Sequence, residues 1–378
     1  MIYGVFLNLG LPDSLLGVAW PVMQPGFGVP DSFAGFISMT ISFGTVISSL
    51  SCVKFIKRFG TGRIVLIGLF STASALLGFS FSRSFIFLIL MAIPLGLGAG
   101  FVDSAINGYV AKFYKAKHMN FLHCFWGVGA LTSPVIMSFF MRNGPSWRNG
   151  YMVVSIIQFV FVAILFFALP FWDKLNKPKE EEVIKTTPNR PLSLFKLKGV
   201  VPTLITFLLY CGVESTINLW GSSFLINVKN ISASNAALYV SAFFTSITIG
   251  RFISGVVSIN FKNKTLVRMG QILIFIGVLF LFIPFDFFSL IGFLAIGLGC
   301  APIFPSLIHE TPKRFGENNA QFIIGLQMST AYVGSTILAP FFGFVSKWIS
   351  FGVFPIFLIV YIIVMFLANE IANKITLK

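Results

Sequence analysis

The chain has 378 residues, 56% of them hydrophobic and only 10% charged, with a mean hydropathy of +0.90. A soluble domain cannot hide that much apolar surface, so the composition excludes one and points to a polytopic helical membrane protein. The formal charge of +15 would suit nucleic acid, but the bases sit in short breaks between apolar runs and not on one basic, aromatic face, which excludes that partner.

Spans of ~20 apolar residues are taken in chain order. The chain opens in an apolar run without a basic n-region or an A-x-A cleavage site, so residues 2–23 read as a first spanning helix and not as a removed signal peptide. Pro12 and Asp13 lie near its middle; Pro12 lacks a backbone donor, which predicts a kink or a bare carbonyl there. Spans two and three (34–53 and 63–82) are joined by "KRFGTGR" (57–63), where Arg58, Gly60 and Arg63 form a tight basic turn suited to gating contacts. Span four (85–111) contains "GFVDSAING". Asp103 lies nine residues before Lys112, about 13 Å along a helix at ~1.5 Å per residue, too deep for a short side chain to reach water. Asn107, at i+4, shares its face.

Span five (119–141) opens with "MNFLHCFWGVGA", placing His123 and Trp126 one turn apart, and span six covers 149–171. The polar, mixed-charge stretch 173–199 reads as a solvated linker. In span seven (200–225) Tyr210, Glu214 and Asn218 recur every four residues and make one polar stripe. Span eight (236–259) carries Arg251, which either snorkels to the nearer end or serves a gate. Spans 266–284, 287–308, 319–343 and 352–373 complete twelve, with Gln327 in the eleventh. Of the tryptophans, Trp126 and Trp220 are able to stack on a sugar ring; Trp20 reads as an interface anchor.

Of the 27 Lys and Arg, 21 fall in the breaks on one side, including Lys54, Lys57, Arg58, Arg63, Lys112, Lys313, Arg314 and the bases of 173–199. Five fall on the other side: Arg83, Arg142, Arg148, Lys229 and Lys347. The positive-inside rule then places both termini and the middle stretch in the cytoplasm. The chain also repeats. A shift of 201 residues lays "GLGAG" (96–100) on "GLGCA" (297–301), Lys112 on Lys313 and Asp13 on Glu214; a shift of 202 lays Gly68 on Gly270. The expected architecture is all-α: twelve transmembrane helices in two pseudo-symmetric six-helix bundles, 1–172 and 200–378, joined by 173–199. Such repeats, with polar groups near the midplane, describe a secondary transporter.

An ionised side chain at mid-bilayer costs at least ~2.5–3.5 kcal/mol, so such groups are buried in protein, paired, or line a water path. Desolvation favours the neutral form of a carboxyl in general, and a carboxyl that loads and unloads a proton is what a proton-coupled carrier requires. The competing reading is structural: Asp103 and Asp13 pairing within the bundle, Glu214 with Asn218 clamping helices, His123 solvated near a loop. The cysteines at 52, 124, 211 and 300 show no C-x-x-C or ligand spacing, so no metal or cofactor is expected. Neither H-E-x-x-H nor G-x-S-x-G occurs, and the chain does not read as an enzyme.

Twelve spans in two halves around a charged middle loop resemble the major facilitator superfamily. That family's turn between spans two and three reads approximately G-x-x-x-D-R-x-G-R-R; "SCVKFIKRFGTGR" supplies Arg58, Gly60 and Arg63, with Lys57 at the acidic position. "GLGAGFVDSAINGYVAKFY" resembles span four of the fucose:proton symporter family, Asp103 and Asn107 matching its acid and Asn. Asp13 is similar to the acid of that family's first span. "MNFLHCFWGVGA" and "GVESTINLWGSSFLI" resemble its glucose-permease branch. The resemblance implies alternating access in the cytoplasmic membrane of a bacterium, by a monomer. Asp103 and Asp13 would handle the coupling ion, a proton or sodium, while Asn107, Glu214, Asn218, His123, Trp126 and Gln327 contact a sugar. A drug or metabolite efflux carrier and a sensor that has lost transport remain the alternatives.

Overall fold

The computed structural model describes residues 1–29, 33–141, 147–184, 191–231 and 233–376. Arg142, Lys378 and stretch 185–190 lie outside the described residues, as do the side chains of 171–184, 191–193 and Lys347. Fourteen α-helices and no strand are found among the described residues. They are α1 Ile2–Gly10, α2 Leu15–Phe27, α3 Ala34–Phe59, α4 Thr61–Phe81, α5 Phe85–Phe113, α6 Ala116–Met141 and α7 Trp147–Ile184, followed by α8 Val200–Asn227, α9 Ala233–Val257, α10 Asn263–Phe280, α11 Asp286–Cys300, α12 Ile303–Phe315, α13 Glu317–Trp348 and α14 Phe354–Thr376. Twelve segments are long and apolar enough to cross a membrane, the first running through α1 into α2 and the tenth through α11 and α12. Large side chains such as Phe43, Ile86, Phe167 and Trp348 are exposed. A surface of that kind suits lipid and would aggregate in water.

Three features of these helices depart from the sequence reading in ways that bear on the site. The sixth span continues as helix to Ile184, because "DKLNKPKEEEVI" is rich in helix-forming Lys, Glu and Leu. The tenth span breaks at Ala301 and Pro302, between α11 and α12. Arg314, expected in a basic loop, lies in the last turn of α12 and is buried. Its Nη2 donates to Asn373 Oδ1 at 2.8 Å and its Nε is 3.8 Å from Glu310 Oε2.

The chain divides into two compact units, Met1–Tyr109 with Phe125–Thr187, and Val110–Cys124 with Pro188–Lys378. In the first, α4 packs along α7, and a core of Leu15, Met23, Leu76, Phe79 and Tyr151, with Leu7 of α1 packed against it, joins α1, α2, α4 and α7. In the second, α8 packs on α13 and α14, and α11 lies between α9 and α10. The repeat is visible inside each unit. Gly98 of α5 meets the Gly68 carbonyl of α4, and Gly299 of α11 meets the Gly270 carbonyl of α10. A Cβ at either Gly98 or Gly299 would overlap the facing backbone, so glycine is what lets these helices touch.

The turn between α3 and α4 is a single residue, Gly60, at φ 80° and ψ 157°. The same four residues, Lys-Arg-Phe-Gly, recur at 313–316, where Gly316 joins α12 to α13 at φ 81° and ψ 148°. Only glycine takes that conformation without strain. At the sparsely basic end, Lys229 Nζ donates to the Ile283 carbonyl at 2.7 Å. Partial burial pulls its ammonium below the ordinary lysine range, and Asp286 opposes the shift.

Candidate functional site

In the first unit the site is built on the break of the first span. Pro12 cannot donate, α1 stops at Gly10, and α2 restarts at Leu15. The intervening turn is held by Asp13 N–H donating to the Gly10 carbonyl at 3.3 Å and Leu15 N–H to the Pro12 carbonyl at 3.2 Å. The turn presents the Asp13 side chain, which is exposed, and its Oδ2 accepts from Trp126 Nε1 at 2.7 Å. The contact is possible because α1 and α6 cross closely. A Cβ at Gly10 would overlap the Trp126 carbonyl, and one at Gly129 the Leu7 carbonyl. Ser14 Oγ adds a bond to the Ala130 carbonyl and lies 3.3 Å from Ser133 Oγ. The second unit repeats the crossing, with Gly334 of α13 against the Leu208 carbonyl of α8.

On α5, Asn107 Nδ2 donates to Asp103 Oδ1 at 2.7 Å. Asp103 is 7% exposed and Asn107 fully buried. The uncharged amide holds one carboxyl oxygen and leaves the other to further partners. Thus the i+4 spacing read from the sequence is a contact.

In the second unit, α8 carries Tyr210 buried, Glu214 half-buried and Asn218 exposed, a stripe that opens along the helix. The Tyr210 and His123 rings both rest on Phe304, with centroids 5.6 and 5.3 Å away. Arg251 is 3% exposed, so it does not snorkel; its Nη1 reaches the His123 carbonyl at 3.5 Å. His123 and Trp126, one turn apart on α6, therefore have different neighbours.

Other residues fall elsewhere. Gln327 is fully buried, and its Nε2 donates to Thr311 Oγ1 at 2.9 Å. Arg58 and Arg63 are exposed beside Gly60, Arg58 lying 5.3 Å over the Phe59 ring. Trp20 packs in the core against Phe85, and Trp220 donates to the Ala339 carbonyl at 2.7 Å. No cluster of metal-binding side chains is found among the described residues.

Two polar groupings escaped the sequence reading. Gln158 of α7 donates from Nε2 to the Asn8 carbonyl at 2.6 Å, and its Oε1 accepts from Thr72 Oγ1 at 3.1 Å. The signal was there: a lone amide in the apolar run "SIIQFVFV". His309 of α12 lies 2.9 Å from the Tyr114 carbonyl by Nε2 and 3.0 Å from Asn263 Nδ2 by Nδ1. A carbonyl only accepts, so Nε2 carries the proton and Nδ1 receives the Asn263 donor in the neutral ring.

The pattern of the Major Facilitator Superfamily matches residues 2–340. The glucose/mannose transporter GlcP of Bacillus subtilis is 27% identical over 325 residues, 80% of this chain and 77% of that protein. Bypass of stop codon protein 6 of Saccharomyces cerevisiae is 24% identical over 280 residues, 68% of this chain; the chain spans just 56% of the yeast protein's length. Among solved structures, the transporter FucP in its outward conformation superposes with a TM-score of 0.81 at 14% identity, covering 98% of this chain and 97% of that one. A point variant of the E. coli fucose:proton symporter FucP gives 0.77 at 16%, covering 98% and 97%. The proton:xylose symporter XylE bound to 6-bromo-6-deoxy-D-glucose gives 0.80 at 14%, covering 99% and 94%.

Proposed function

Since the chain belongs to the major facilitator superfamily, a family of membrane transporters and not of enzymes, we propose that it moves a neutral sugar with a proton by alternating access. The observation that carries this reading is the buried Asp103–Asn107 pair, a carboxyl far from the helix end and held by an uncharged amide. Asp103 takes and releases the proton, and Asp13 is the second carboxyl in the same unit. Asn107, Glu214, Asn218, His123 and Trp126 contact the sugar. Gln327, already paired with Thr311, steadies α12 against α13. Arg58, Gly60, Arg63 and Arg251 serve the gates. These polar groups without a mid-membrane cluster of bases suit hydroxyls better than a phosphate. The sugar transporter of B. subtilis at 27% identity supports the same substrate class.

In this proposal residues 1–172 and 200–378 are the two halves, joined by 173–199. The protein works as a monomer in a bacterial cytoplasmic membrane with both termini inside. Purified protein in liposomes should accumulate radiolabelled hexose when an inward proton gradient is imposed. Asp103→Asn should abolish gradient-driven accumulation while leaving sugar exchange at equilibrium. Unchanged accumulation by that variant removes Asp103 from the coupling role, and indifference to every sugar removes the substrate class.

A further inference from the structure

A proline leaves its helix one donor short, and the structure shows what fills the gap. In an uninterrupted first span the N–H of residue 12 would bond the carbonyl of Asn8. Pro12 has none, and Asn8 is only 3% exposed, so water does not reach the carbonyl. A buried carbonyl without a donor costs a large part of a hydrogen bond's full strength. Gln158, 1% exposed and 150 residues away in the chain, supplies the donor from α7 at 2.6 Å. Its amide can face only one way. The Asn8 carbonyl accepts, so the NH2 must point there, and the amide oxygen turns to the Thr72 hydroxyl at 3.1 Å. The one proton of the Thr72 hydroxyl is shared between that oxygen and the Leu69 carbonyl of α4 at 2.9 Å. The chain Thr72–Gln158–Asn8 thus ties α4 and α7 to α1 one turn before the break.

We propose that Gln158 is the positioning residue of the site: by replacing the donor Pro12 lacks, it sets where α1 ends and so how Asp13 is presented to Trp126. An uncharged side chain of this length suits the place. A hydroxyl is too short to span from α7, and a lysine would carry charge into the core. The role rests on the reading of Asp13 as a coupling group, so its test separates the bond from the transport.

Gln158→Leu keeps volume and removes the donor. Purified without substrate, it should unfold at a temperature several degrees lower than the parent. In a Pro12→Ala background, where residue 12 again donates to Asn8, the same change should cost less than half as much. The Trp126 component of the emission, obtained by subtracting Trp126→Phe spectra, should move in Gln158→Leu to the position it takes in Asp13→Asn. A role confined to packing leaves that component in place. Gln158→Asn, an amide one methylene too short, should give the same emission shift where the leucine variant does not fold. Equal cost in both backgrounds, or an unmoved Trp126 component, overturns the proposal whether or not the protein carries sugar. If the emission moves, proton-driven sugar accumulation by Gln158→Leu should fall about tenfold. Unchanged accumulation with moved emission would remove Asp13 from the coupling and leave the bond standing.

Discussion

Trp126 shows what spacing along a helix conveys and what it leaves out. From the sequence it sits one turn from His123, an aromatic ring suited to stacking on a sugar. In the structure its indole N–H is spent on Asp13 at 2.7 Å, and that partner lies 113 residues earlier. Spacing within a helix reports i+4 contacts such as Asp103–Asn107, but it is silent about partners on other helices. Trp126→Phe preserves the ring and deletes the donor. The carboxyl then loses its indole donor, so the initial rate of sugar uptake should drop about tenfold at limiting substrate. A rate within twofold of the parent would mean the bond does not hold Asp13 for transport.

At the scale of the element, the apolar runs were legible because ~20 residues without charge have few alternatives to a span. The breaks within them were less so. Four prolines bear on this: Pro94 and Pro340 sit inside the unbroken α5 and α13, whereas Pro12 and Pro302 coincide with breaks. Each removes one donor, and whether the helix stops depends on what neighbouring helices offer the exposed carbonyl, which no local pattern contains. Helix crossings are likewise set by pairs of distant residues. Gly10 and Gly17 look alike in sequence, yet a Cβ at Gly10 overlaps the Trp126 carbonyl while one at Gly17 meets nothing within 4 Å. Gly10→Ala should therefore lower the unfolding temperature by several degrees. Gly17→Ala, inside α2 and unobstructed, should leave it equal or slightly higher, since alanine is favoured over glycine in a helix by ~1 kcal/mol. Thermal unfolding of the two purified variants side by side decides whether the α1–α6 crossing is as tight as drawn.

For the molecule as a whole, the repeat was visible in a shift of 201 residues, and it returns as matched contacts, Gly68 with Gly98 and Gly270 with Gly299. What the shift does not convey is that equivalent motifs diverge in use. Arg58 of the first Lys-Arg-Phe-Gly turn is exposed, while Arg314 of the second is buried against Asn373 and Glu310. The orientation of the whole rests on charge. The bases cluster at one end of the spans, and a charged loop is retained on the cytoplasmic side because moving it across the bilayer is costly. That asymmetry makes a test at two exposed positions, Lys54 at the basic end of α3 and Arg83 between α4 and α5. Native thiols interfere little, because Cys52, Cys211 and Cys300 are buried and Cys124 only partly accessible. In intact cells a membrane-impermeant maleimide should label Arg83→Cys and spare Lys54→Cys, and permeabilising the membrane should bring Lys54→Cys to the same extent. Labelling of Lys54→Cys from outside would invert the topology. The turn of Arg58, Gly60 and Arg63 would then face outward, while the proton gradient would still set the direction in which sugar moves.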